Sequence, residues 1–271
     1  MRILTIQDIS CLGQCSLTVA LPVLSACGHE TCILPTAMLS THTGGFDRPA
    51  VRQLADFMPW IREHWCREKL RFDAIYTGYL GSIAAIGETE KILEEFLNPG
   101  GMVIVDPAMA DHGKLYKGFD VPYAEAMGQL CRRADIILPN ITEAAMLSGL
   151  PFEEQPDEAY LTRLLEGLDH PCIVMTGAGC RPEETGAAIL DHGVRSDYRH
   201  RKLGKNYHGT GDLFASAFVG ALLRGRTIPE AAKLGAEMVS TSIRNSLEDP
   251  DHWYGVKFES SIPWLVSALG D

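Results

Sequence analysis

No stretch of this 271-residue chain approaches the roughly 20 uninterrupted apolar residues that a membrane-crossing helix needs. The opening residues Met1 to Ile6 run straight into Gln7 and Asp8, without the apolar core or small-residue cleavage site of a secretory signal. The eight cysteines include no C-x-x-C pair and no Cys/His cluster at zinc-finger spacing, which points to reduced thiols in a cytoplasmic protein. Basic charge is scarce: 24 Lys and Arg stand against 35 Asp and Glu, a formal net charge of −11. That balance argues against nucleic acid or an anionic membrane as the main partner and favours a small ligand. No repeat, low-complexity tract or Pro/Ser-rich linker marks a boundary, so residues 1–271 read as one domain with one sizeable core.

What is present is an alternation of short β-branched runs with longer amphipathic stretches, the pattern of parallel strands joined by crossover helices. Strands are expected at Ile3 to Gln7, Thr31 to Leu34, Ala74 to Thr77, Met102 to Val105, Ile136 to Leu138 and Cys172 to Thr176. Helices are expected around Leu17 to Cys27, Val51 to Lys69, Ile83 to Leu97, Tyr123 to Arg132, Glu143 to Ser148 and Tyr160 to Leu168. Pro22 and Pro59 fall inside two of them and predict a kink or break at each. Ala187 to Leu190 and Val194 to Tyr198 flank Asp191-His192-Gly193 and read as an antiparallel hairpin at a sheet edge. Helices at Asp212 to Leu223, Glu230 to Ile243 and Pro263 to Leu269 complete a three-layer, doubly wound α/β fold with a mostly parallel central sheet.

The most informative segment is His208-Gly209-Thr210-Gly211-Asp212, followed at once by an apolar helix. Glycines on both sides of Thr210 let successive N–H groups point into one concavity, and the positive end of the helix faces the same place. Such a concavity suits a phosphate whose charge develops during transfer, and a carboxylate at Asp212 suits removal of a proton from an attacking alcohol. The same residues also fit an ordinary helix N-terminus. Two further motifs end predicted strands, where ligands bind in open α/β sheets. They are Asp106-Pro107-Ala108-Met109-Ala110-Asp111 and Pro139-Asn140-Ile141-Thr142-Glu143. Asp106 and Glu143 are oxygen ligands of the kind that hold Mg²⁺ directly or through water. Asn140 and Glu143 equally fit a helix N-cap with its acidic partner three residues on.

Asp106 to Tyr116, Pro139 to Glu143 and Gly209 to Asp212, in that order and spacing, resemble the ribokinase superfamily, and within it the pyridoxal and pyridoxamine kinases. Ile6-Gln7, Ser40-Thr41-His42-Thr43 and Thr77-Gly78-Tyr79-Leu80-Gly81-Ser82 extend the resemblance over residues 2 to about 245. It implies a ribokinase-like fold and ATP-dependent phosphorylation of the 5′-hydroxymethyl group of a B6 vitamer by a homodimer. Mg²⁺ is implied with the ATP, and K⁺ as an optional monovalent cation. Carried onto this chain, the resemblance makes Asp212 the catalytic base and gives the anion hole to Gly209, Thr210 and Gly211. Asp106 and Glu143 would serve Mg²⁺, while Asp106, Asn140, Thr176, Gly177, Gly209 and Gly211 would serve the nucleotide. Asp8, His42, Tyr79 and Asp212 would face the vitamer.

The chain departs from the pattern where it has Asp8 in place of the usual serine, Ser16-Leu17-Thr18 in place of Gly-Asn-Ser, and Ala110 where a glycine is common. Two other readings remain open: a hydroxymethylpyrimidine or hydroxymethylpyrimidine-phosphate kinase, and a non-catalytic vitamer or nucleotide binder. Elsewhere, Cys11 and Cys15 read as buried structural thiols, and Trp60 and Trp65 as a core or interface helix face. Arg195, Arg199, His200, Arg201, Lys202 and Lys205 read as a nucleotide-facing flap or a solvated hairpin surface.

Overall fold

Alternate residues along the central strands belong to opposite layers of the core. Ile3, Ala74, Tyr76, Ile104, Ile136 and Val174 pack on one face, and Leu4, Ile75, Val103, Val105, Ile137 and Ile173 on the other. Both layers are apolar because parallel strands carry helices on each face. The computed structural model describes residues 1–204, 207–247, 249 and 251–270. Its strands are β1 (Arg2–Ser10), β2 (Glu30–Leu39), β3 (Val51–Gln53), β4 (Phe72–Thr77), β5 (Leu97–Val105), β6 (Ala110–Asp111), β7 (Lys114–Leu115), β8 (Ile136–Ile137), β9 (Cys172–Thr176), β10 (Glu184–Asp191) and β11 (Val194–Arg201). Its helices are α1 (Leu17–Ala26), α2 (Met58–Glu68), α3 (Ile83–Phe96), α4 (Val121–Cys131), α5 (Ile141–Ser148), α6 (Glu158–Gly167), α7 (Thr210–Leu223), α8 (Ile228–Leu247) and α9 (Ile262–Leu269).

Nine strands form one sheet in the order β11-β10-β9-β8-β5-β4-β1-β2-β3, and β6 pairs with β7 apart from it. Pairings from β2 through β9 are parallel, while β3 at one edge and the β10–β11 hairpin at the other are antiparallel. Helices α1, α7, α8 and α9 cover the first face; α2 to α6 cover the second. From β1 the chain first moves to β2 and then returns to place β4 on the other side of β1. A crevice therefore opens at the carboxyl ends of β1 and β4, the switch point where such sheets take ligands. The β1–β2 register shifts between Gln7 and Ile9, so the ladder is irregular at Asp8, beside the crevice.

The helix expected over Val51 to Lys69 is two elements. Val51–Gln53 pairs with Ala37–Leu39 as the edge strand β3, and the helix starts at Met58 with Pro59 in its first turn, where a missing N–H costs nothing. At Pro22 the expected break does not occur: α1 runs through it from Leu17 to Ala26, with four residues of its buried face packed against the α7 side of the core. Cys11 is exposed rather than buried, and all eight cysteines are free thiols. Trp65 meets Phe72 and Phe96 edge to face at 5.6 and 5.8 Å, whereas Trp60 is exposed. No helix among the described residues is long and apolar enough to cross a membrane.

Phe96 is fully buried at the junction of α3 with α2 and β4. Replacing it with alanine removes a ring that its neighbours cannot fill, so Phe96→Ala should lower unfolding free energy by about 3–5 kcal/mol in urea denaturation.

Candidate active site

The site is assembled at the carboxyl edge of the sheet by four chain segments. Gly209, the residue preceding α7, has φ +75°, and a Cβ there would stand 1.8 Å from the Gln14 carbonyl oxygen. Only glycine fits, and its turn leaves the first N–H groups of α7 directed outward from the helix end. Asp212 lies in that first turn, half-buried, and accepts a hydrogen bond from the Ser16 N–H. Burial pushes its carboxyl up to about 7; the Ser16 bond opposes the rise and the Asp8 charge adds to it. Asp8, at the irregular end of β1, is buried and accepts from the Ser16 hydroxyl. Burial raises its carboxyl to about 6. Ser16 thus divides its two donors between two carboxylates, and does so in a strained backbone conformation, φ 53° and ψ −127°.

Asp106 follows β5, with Oδ1 accepting from the Ala108 N–H at 3.1 Å. Burial holds its carboxyl well above the ordinary range, and the nearby Glu143 and Asp212 charges push the same way. Asn140 and Glu143 open α5 as a reciprocal cap: Asn140 Oδ1 accepts from the Glu143 N–H at 3.0 Å, and Glu143 Oε2 accepts from the Asn140 N–H at 2.9 Å. Glu143 does more than cap. Its Oε1 accepts from the N–H groups of Met109 at 2.8 Å and Ala110 at 3.3 Å, while Asn140 Nδ2 donates to the Ala110 carbonyl at 2.8 Å. Ala110, where a glycine is common, is held in β6 by these bonds without positive φ; that burden falls on Ala108 and His112. Burial raises Glu143 to about 7 against the pull of its three N–H donors.

These hard oxygens suit Mg²⁺. Among the described residues Asp106 keeps an oxygen free of N–H donors, whereas both Glu143 oxygens are already engaged, so Glu143 would reach a cation through water or through its field. Among the described residues no basic side chain forms an ion pair with Asp8, Asp106 or Asp212. Thr176 ends β9 and bridges to Asn140, its N–H donating to the Pro139 carbonyl at 2.9 Å, and Gly177 follows with φ +74° and open space around it.

His42 is buried with both ring nitrogens occupied: Nδ1 accepts from the Gly44 N–H at 3.0 Å, and Nε2 donates to the Tyr254 carbonyl at 2.6 Å. Burial lowers its pKa, so the ring is neutral and ties two loops together. Phe46, Trp253, Tyr254 and His208 gather around it, with Phe46 and Trp253 ring centroids 4.7 Å apart. Tyr79 follows β4, stacked on Phe119 at 5.2 Å, and burial with the Asp8 charge raises its hydroxyl to about 12. Sequence reasoning missed Phe119, this aromatic cluster and the role of Ser16, although the Ser16-Leu17-Thr18 departure pointed at the last. Arg195 and Arg199 on β11 are not open to a phosphate: they pair with Glu158 and Asp197, and Arg199 also with Glu184. Lys205 lies outside the described residues.

Residues 55–255 match the family model of phosphomethylpyrimidine kinase. The chain belongs to the phosphomethylpyrimidine kinase family. The resemblance to ribokinase-like kinases carried by the motifs stands on that match. Another structure of this fold is a pyridoxal kinase from Lactobacillus plantarum, 36% identical over 98% of this chain and 96% of that one, with a TM-score of 0.90. A Bacteroides thetaiotaomicron protein described as a phosphomethylpyrimidine kinase, solved with pyridoxal, is 31% identical over 97% of this chain and 95% of its own, with a TM-score of 0.91. A hydroxymethylpyrimidine/phosphomethylpyrimidine kinase of Bacillus subtilis is 28% identical over 183 residues, 66% of each chain.

The carboxylates of this site lead to two expected outcomes. Glu143→Gln replaces an acceptor oxygen with an NH₂ facing N–H donors, and should cost about 1–3 kcal/mol of stability in urea denaturation. Asp212 has a folded pKa of about 7 against an ordinary 3.8, so the folded state holds its proton longer than the unfolded chain. Stability present below the ordinary value is lost as pH rises toward 7. Asp212→Asn should therefore raise Tm at pH 8 in the protein alone, and the gain should vanish by about pH 4 in a calorimetric pH series.

Proposed function

We propose that this chain is an ATP-dependent kinase that phosphorylates the 5′-hydroxymethyl group of a B6 vitamer. The observation that carries this reading is the Gly209–Asp212 turn: the start of α7 places a carboxyl raised to about 7 beside the first N–H groups of the helix, within the field of Asp8 at the sheet's switch point. In-line transfer then needs little beyond positioning and charge stabilisation. The substrate hydroxyl gives its proton to Asp212, its oxygen bonds to the γ-phosphorus, and the bond from that phosphorus to the ADP oxygen breaks. The N–H groups of the turn take up charge on the transferring phosphoryl. Mg²⁺, when bound, would offset phosphate charge, with the unshared Asp106 oxygen holding it or its waters.

A B6 vitamer is favoured by the 36% identical pyridoxal kinase and by the pyridoxal found in the 31% identical Bacteroides protein. The half-buried Tyr79 ring on Phe119 suits a flat heterocycle. The second reading, a hydroxymethylpyrimidine kinase, is favoured by the family match and by the Bacillus subtilis relative. A silent binder would have no use for a carboxylate held beside the anion turn.

The test is ATP consumption with Mg²⁺ against pyridoxal, pyridoxine, pyridoxamine and hydroxymethylpyrimidine. A B6 vitamer should turn over, and Asp212→Ala should lower kcat by about 100- to 10,000-fold. Turnover of the pyrimidine alone would replace the first reading with the second.

A further inference from the structure

Among the described residues Asp8 is an acid without a cation. It is 5% exposed, its one side-chain donor is the Ser16 hydroxyl, and the groups facing it are Asp212, the Cys15 thiol and the Tyr79 phenol, none of them positive. A buried carboxylate so placed is costly unless a partner neutralises it, and in a crevice that partner can arrive with the ligand. We infer that Asp8 selects the substrate by pairing with a cationic amine carried on the ring carbon next to the one bearing the reacting hydroxymethyl group. The inference rests on the B6 reading above and deepens it: the preferred vitamer is the amine, pyridoxamine.

The position of the amine follows from Ser16. Its N–H binds Asp212 and its hydroxyl binds Asp8, so the two carboxylates flank a single residue. With the reacting hydroxyl at Asp212, the group that reaches Asp8 is the neighbouring ring substituent rather than the ring nitrogen across the heterocycle. In pyridoxamine that substituent is an ammonium. In pyridoxal it is an aldehyde, whose oxygen has only lone pairs to set against a carboxylate, and in pyridoxine a neutral alcohol. A site built around a charge partner rejects the isostere lacking it more strongly than an apolar pocket rejects a change of size.

The test compares wild type, Asp8→Asn and Asp8→Ser, each checked for folding by its Tm. Wild type should favour pyridoxamine over pyridoxine in kcat/KM, and both variants should lower that ratio at least about tenfold, mainly through KM. An unchanged ratio, or a wild-type preference for pyridoxal, overturns the inference. Calorimetric titration of pyridoxamine and pyridoxine without nucleotide separates it from the activity reading. If no vitamer is phosphorylated, that reading fails. Tighter pyridoxamine binding that is lost in Asp8→Asn would still support the role of Asp8, and equal binding of the two vitamers to wild type would overturn it.

Discussion

Negative charge gathered in a place poor in water is the constraint around which this molecule is arranged. Asp8, Asp106, Glu143 and Asp212 converge on the carboxyl edge of the sheet, and for each of them burial is the largest influence on its proton. Such a cluster persists because backbone N–H groups are aimed at it: Met109, Ala110 and Asn140 at Glu143, Ala108 at Asp106, and Ser16 at Asp212. Parallel topology makes that supply available, since strand ends and helix starts meet at one edge. The N–H groups offset part of that charge, and burial raises the pKa of each of the four carboxyls against the remainder.

The fold delivers these groups by accepting local strain. Ser16, Ala108 and His112 have positive φ without being glycine, and all three lie in loops that carry or flank carboxylates of the site. Gly209 is forced by the Gln14 carbonyl, so the loop between β1 and α1 and the turn before α7 shape each other. Helices α1 and α7 continue the contact below it, where the Cys27 side chain lies against Gly220 and leaves no room for a Cβ.

A second, softer set of contacts joins two loops. His42, with both nitrogens spent on Gly44 and Tyr254, joins the segment after β2 to the segment before α9. The aromatic rings around it give that join apolar contact without extended secondary structure. Such contacts open more cheaply than the sheet beneath them.

Much of this was legible in the linear order of residues. Short, nearly continuous apolar runs such as Ile3 to Ile6 and Cys172 to Thr176 mark strands with two buried faces, and the hairpin around His192-Gly193 was visible in its turn. Asp106, Asn140–Glu143 and Gly209–Asp212 were each compatible with an ordinary turn or helix cap, and it was the resemblance of their order to one kinase superfamily that pointed to one kind of chemistry. Tertiary structure alone decided that Val51 to Gln53 is an edge strand, since its pairing partner is Ala37 to Leu39, with Leu39 opposite Val51 and Ala37 opposite Gln53. It alone decided that Glu143 clamps a loop as well as capping a helix, that His42 braces Tyr254 212 residues away, and that Ser16 joins Asp8 to Asp212. Each of those roles depends on which distant N–H or carbonyl comes within about 3 Å of a side chain, and hydrogen bonds decay too steeply with distance for any sequence pattern to encode that meeting.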